Sequence, residues 1–178
     1  DTTGSHFHEE PYNPRYYDIL IEDFQNPGIG TYSRVRGQLR PHAEEFVAFC
    51  NRYFANVIVW SAGKYSYVHK LVQVLFRSTD PPVRVFTFDD LPFNENGKVI
   101  KDLKIIYDQC SYLPYPPNMY NTIIIDDDAS TFILNPENAI HIPRFEGDPQ
   151  DTALNYISAF LISLDVIYAQ DVRMIKFP

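Results

Sequence analysis

Cysteine, tryptophan and positive charge are what this 178-residue chain has least of. Two cysteines, Cys50 and Cys110, cannot support the cross-linked framework of a small secreted scaffold. Both sit in apolar stretches that read as helical, so buried free thiols are expected. Lys and Arg number 15 against 23 Asp and Glu, a net charge of −8. That balance leaves no basic footprint for direct nucleic-acid binding and would repel an anionic membrane surface. No apolar run approaches the ~20 residues of a membrane-spanning helix. No secretory leader opens the chain, and neither repeats nor low-complexity tracts interrupt it. The expectation is an intracellular protein outside the membrane.

What is present describes an ordinary globular chain. Hydrophobic residues make up 45% and charged residues 21%, enough apolar surface for one domain with a continuous core. Tyr and Phe, 13 of each beside a single Trp, carry much of the packing. Residues 1–14 are polar and read as a loop. Alternation over 16–24, a turn cluster around Asn26-Pro27-Gly28, and the stretch 31–37 predict a hairpin.

Arg40-Pro41 opens a helix with Phe46, Phe49, Cys50, Tyr53 and Phe54 on one buried stripe. The apolar run 56–60 (NVIVW) predicts a strand buried on both faces, followed by a helix carrying Val68, Leu71, Val72, Leu75 and Phe76. Residues 83–88 alternate as a strand, 101–110 read as a helix, and 111–119 form a proline-laced loop. Short strands follow at 121–125 and 138–142. Asp148-Pro149 is expected to start the last helix, with Leu154, Ile157, Leu161, Leu164 and Ile167 or Tyr168 on its buried side. Strands alternating with helices imply an α/β protein with a mostly parallel sheet.

The segment 121–128, NTIIIDDD, ends an apolar strand in three aspartates. Ligands of open α/β sheets collect beyond such carboxyl ends, and crowded carboxylates are relieved by a hard divalent cation. By itself such a cluster more often faces water. A serine after a strand is more often a cap, and a lone lysine a solvated group. Ser61 after NVIVW, Lys101 between the two strands, and the aspartates together make a site for an anion, phosphate fitting best. His42, His69 and His141 show no metal-ligand spacing.

That order of residues resembles the haloacid-dehalogenase (HAD) superfamily, in its branch of RNA-polymerase-II C-terminal-domain phosphatases and NLI-interacting-factor-like proteins. Arg40-Pro41-His42 with Glu45-Phe46 is similar to the family's R-P-x-x-x-E-F. Val59-Trp60-Ser61-Ala62-Gly63 with Tyr67 is similar to its second motif, and Ile100-Lys101-Asp102-Leu103 to V-K-D-L. Asp126-Asp127-Asp128 with Asn135-Pro136-Glu137-Asn138-Ala139 resembles the third motif, and Phe145, Asp148, Asp151 and Leu154 echo its tail. Asp1-Thr2-Thr3 with His6 looks like the second half of the first motif, D-x-D-x-T. The chain departs from the pattern at Asp128-Ala129, where the family has Ser-Pro, and in the longer loop 111–119.

The resemblance implies a HAD-like three-layer fold over 1–178, with a small β insertion at 77–98. It implies Mg²⁺-dependent hydrolysis of phosphoserine or phosphothreonine in protein substrates through an aspartyl-phosphate, in the nucleus or cytoplasm. Asp1 would be the general acid/base, and the nucleophilic aspartate would lie two positions ahead of it, at the end of a strand seated between those ending at Ser61 and Asp126. Without that strand, the two most apolar strands would face unpaired backbone groups. Asp1, Asp126 and Asp127 would serve the metal, and Thr3, Ser61 and Lys101 the phosphate. The alternatives are a non-catalytic peptide-binding module on the same scaffold and a small-molecule HAD phosphatase.

Overall fold

A β-hairpin leads into three layers of helix and strand. The structure, a computed structural model, describes residues 15–22 and 32–177. Asp1 and Thr3 therefore lie outside the described residues. Strands β1 (Tyr16–Glu22) and β2 (Tyr32–Gln38) pair antiparallel, Ile19 opposite Val35. Alternation holds as expected: Ile19 is buried while Asp18 and Leu20 face solvent. The hairpin packs on helix α2, where the Tyr17 and Tyr67 hydroxyls lie 2.9 Å apart. Burial and that bond push the Tyr67 phenol up to about 12. Gly37 lies beneath the Tyr17 ring, and a Cβ there would overlap it.

Helix α1 (Ala43–Tyr53) precedes β3 (Ile58–Trp60), and α2 (Tyr65–Leu75) precedes β4 (Arg84–Phe86). β3 and β4 are parallel, joined by a crossover through α2. Residues 84–86 of the expected insertion thus pair with β3. The rest of 77–98 holds a single 3-10 turn, Phe88–Asp90, and an isolated bridge from Phe93 to Val99. Helix α3 (Leu103–Gln109) follows, capped by Asp102, whose carboxylate accepts from Lys104 N. β5 (Ile124–Asp126) pairs parallel with β6 (Ala139–His141), and α4 (Ala153–Ser163) closes the fold.

The chain is mixed α/β, as expected, but its parallel strands stand as two separate pairs rather than one sheet. Alternate residues sort onto two sides. Ile58, Trp60, Phe86 and Ile124 pack with α3; Val57 and Val59 pack on α2, and Ile123 and Ile125 with α1 and α4. Both cysteines are free thiols, with burial pushing Cys50 up to about 12.

Three expectations shift. The last helix begins at Ala153, because Asp148 and Asp151 cap turns instead, accepting from Gln150 N and Ala153 N. It ends at Ser163, where Asp165 adopts a left-handed backbone (φ 47°) that turns Val166 inward. Leu164, Ile167 and Tyr168 are left exposed. Finally, no residue of α1 is fully buried, although its aromatic stripe is where the sequence puts it.

Candidate active site

Asp126 ends β5, and its carbonyl accepts from Ile142 N at 3.0 Å, fixing it to the β6 side. One carboxylate oxygen, Oδ1, takes the Asp128 N–H at 2.8 Å. The other, Oδ2, takes the Lys101 ammonium at 2.5 Å. Both side chains are nearly enclosed, 8% and 10% exposed. A buried, hydrogen-bonded ion pair is held only when its geometry compensates the loss of water.

The surroundings supply that geometry. Lys101 N donates to Thr131 O at 2.6 Å, and Leu103 N donates to Asn135 Oδ1, locking the approach to α3. Thr131 lies in the 3-10 turn Ala129–Phe132, which Asp128 caps by accepting from Ser130 N and Oγ. Those Ser130 bonds hold the Asp128 carboxyl below the ordinary carboxylate range. Asp128 is thus a loop-forming residue.

Of the expected site residues, the structure brings Lys101 and Asp126 together. Asp127, one residue on, faces away, its carboxylate on the exposed Arg144 at 3.1 Å. Ser61 ends β3, its N–H on Phe86 O and its Oγ accepting from Gly63 N at 3.1 Å. Its hydroxyl bonds neither Lys101 nor Asp126. A Cβ at Gly63 would come within 2.9 Å of Val68, so the turn after β3 admits little but glycine.

Asp126 fits one oxygen ligand of a hard cation. Among the described residues, no group of three His, Cys, Asp or Glu side chains gathers into a metal site. Asp126 would need partners from elsewhere in the chain.

Sequence reasoning quoted Asn138 within a motif but gave it no role. It is 4% exposed, and its amide donates to Met119 O at 2.8 Å and Thr122 O at 2.9 Å. It thereby clamps the proline-laced loop to the start of β5. A polar residue just ahead of a strand was the only signal.

Arg40, chosen from its motif, bonds Asp151 through both nitrogens Nε and Nη2 at 2.9 Å and Pro143 O through Nη1 at 2.8 Å. Its guanidinium lies 5.8 Å from the Phe145 ring centroid. Three motif residues thus form one tie between the start of α1 and the approach to α4.

The largest cavity, about 600 Å³, lies between β3 and β5 and reaches Lys101. Five consecutive residues of each strand line it, Asn56 to Trp60 and Asn121 to Ile125. Phe46, Cys50 and Tyr53 of α1 close one side, Leu103 and Ile106 the other.

A parallel α/β scaffold with a lysine–aspartate pair at a strand's carboxyl end defines a phosphoryl-handling class of site. The chain belongs to the NLI interacting factor-like phosphatase family, whose model matches residues 1–173. It is 33% identical over 168 residues to a mitochondrial import inner membrane translocase subunit TIM50 of Caenorhabditis elegans, covering 92% of this chain and 34% of that protein. It is 28% identical over 138 residues to the tim50 subunit of Neurospora crassa, covering 76% and 23%. It is 26% identical over 146 residues to a probable C-terminal domain small phosphatase of Dictyostelium discoideum, covering 82% and 43%. The chain spans less than half the length of each of these relatives.

Proposed function

We propose that this polypeptide is a Mg²⁺-dependent protein phosphatase of HAD-like fold, hydrolysing phosphoserine and phosphothreonine. The enclosed Lys101–Asp126 pair at the carboxyl end of β5 carries the reading. The family membership supports phosphatase chemistry in general. The ammonium of Lys101 neutralises charge building on the phosphoryl oxygens. Ser61 offers its hydroxyl to the phosphate from the end of β3, and Thr3 offers a second. Asp126 and Asp1 would hold Mg²⁺, which supplies charge neutralisation at the phosphate; Asp127, on Arg144, contributes at most through water.

The nucleophile is the aspartate expected two positions ahead of Asp1. Its carboxylate oxygen attacks phosphorus and the bond to the serine or threonine oxygen breaks. Asp1 donates a proton to that oxygen, then withdraws one from the water that releases inorganic phosphate. Steady-state assays on phosphopeptides and sugar phosphates with Mg²⁺, using the polypeptide that includes the residues encoded ahead of Asp1, test the substrate class. Faster turnover of phosphopeptides is expected; a preference for sugar phosphates contradicts it.

The translocase relatives support a second reading, a non-catalytic peptide-binding module in or near a mitochondrial membrane. No helix among the described residues is long and apolar enough to cross a membrane. The residue two places ahead of Asp1 separates the readings: aspartate supports catalysis, and any side chain without a nucleophile supports binding.

A further inference from the structure

The cavity between β3 and β5 has the shape of an absent strand. A pocket on one face of a sheet meets alternate residues of each strand, because successive side chains point to opposite faces. Here every residue from Asn56 to Trp60 and from Asn121 to Ile125 borders the space, so it runs along strand edges within the sheet plane. Helices of both outer layers look into it, through Cys50 and Tyr53 on one side and Leu103 and Ile106 on the other.

The backbone shows the same vacancy. Val57 O and Ser61 N are bonded towards β4, so the odd residues of β3 face β4. In a parallel ladder the intervening residues Ile58 and Trp60 direct their N–H and C=O groups to the opposite edge. Asp126 O is bonded to the β6 side, which leaves Ile123 and Ile125 directing theirs away from β6. Among the described residues these edge groups find no partner. Buried backbone groups without partners are rare and costly.

The two edges also run the same way. Asn56, at the start of β3, donates to Tyr115 O, and Asn121, at the start of β5, donates to Pro116 O. Adjacent residues of one loop hold both amino ends, and the slot extends from them to Trp60, Ile125 and Lys101.

We propose that this slot is a preformed strand acceptor. It takes an extended apolar segment of about five residues, roughly 16 Å long, hydrogen-bonded in parallel to β3 and β5. It does so whether or not the segment is covalently joined. Apolar side chains are required on both faces of the segment, since the slot is closed by Phe, Cys, Tyr, Leu and Ile from both layers. The segment's carboxyl end arrives beside Lys101. Residues 1–14 and 23–31 contain no run of three apolar residues and do not meet that chemistry. The occupant assigned is the stretch preceding Asp1 in the same polypeptide. The inference rests on sheet geometry and stands apart from the phosphatase reading.

Trp60, the sole tryptophan, lines the slot and reports on it. The 178-residue chain is titrated with a synthetic peptide whose centre is a Val/Ile run ending in Asp, flanked by lysines. Saturable change in Trp60 emission and a raised unfolding midpoint, or a cooperative transition gained only with peptide, are expected. A peptide with proline at alternate positions keeps its apolar character but loses the N–H donors, and should bind at least roughly tenfold more weakly. Equal binding of both peptides, or uptake of a fluorescent fatty acid but not the Val/Ile peptide, overturns the proposal. So does no binding at all. The polypeptide extended by its own encoded residues ahead of Asp1 should no longer take the peptide; continued uptake overturns the assigned source in favour of a partner's strand. Replacing the peptide's terminal Asp with Asn should leave insertion intact. Insertion without phosphatase activity in either case would retain the acceptor and count against the proposed function.

Discussion

Asn138 and Lys101 show how much rests on single polar side chains inside this fold. The Asn138 amide serves two carbonyls that have no water in reach. Replacing it with alanine strands both, a cost of about 2–3 kcal/mol. Denaturant unfolding of Asn138→Ala is expected to show that loss with an unchanged slope; a change under ~0.5 kcal/mol would mean that the loop 111–120 is held by other contacts. Lys101 was legible in the sequence because lysine in I-K-D-L between two apolar strands fits a motif. Its partner oxygen was not, since three consecutive aspartates are equivalent until a backbone decides which one turns inward. Asp126 shares the pleat direction that meets Lys101; Asp127 falls on the other side and finds Arg144.

The elements were readable where apolar periodicity was long, and misread where turn geometry decided. Val68, Val72 and Phe76 are buried as their spacing predicts. At the end of α4 the pattern misleads: Leu164 and Ile167 continue the helical stripe in sequence, yet the left-handed Asp165 breaks the helix between them. Nothing in a periodicity argument marks a positive φ at an aspartate. The consequence is measurable. Val166→Lys, at a position 3% exposed, should cost about 3 kcal/mol or more, whereas Leu164→Lys should stay within ~0.5 kcal/mol. Thermal unfolding of the two variants checks this; equal losses would show that the helix continues through 167. The half-buried stripe of α1 has a different cause. Its position was read correctly, but Phe46, Cys50 and Tyr53 border the slot rather than a strand.

Across the whole molecule, Arg40 and Asp151 join segments 111 residues apart in sequence. The Arg40 guanidinium beside Asp151 holds that carboxyl below its ordinary value of 3.8. A carboxyl with a lowered folded value stabilises the fold fully above that ordinary value, and the contribution is lost as pH falls through the lowered one. Asp151→Asn should therefore cost about 2 kcal/mol at neutral pH and progressively less in strong acid. Unfolding curves of both proteins across that range should converge at the acid end; a pH-independent difference would contradict it. The α/β class, the hairpin and the strand ends bearing Ser61 and Asp126 were all legible in the sequence. The separation of the parallel strands into two pairs was foreseeable only by supposing a strand between them.

The central claim is that Asp126, held by Lys101, serves phosphoryl transfer. Mg²⁺-dependent hydrolysis of para-nitrophenyl phosphate by Asp126→Asn tests it most directly, in the polypeptide that includes the residues encoded ahead of Asp1, with thermal unfolding measured beside it. Asparagine keeps the size of the side chain and an acceptor for Lys101 while removing the charge. A fall in activity of roughly a hundredfold or more, with little change in unfolding temperature, is predicted. Activity equal to that of the unsubstituted protein would remove Asp126 from the site and contradict the account.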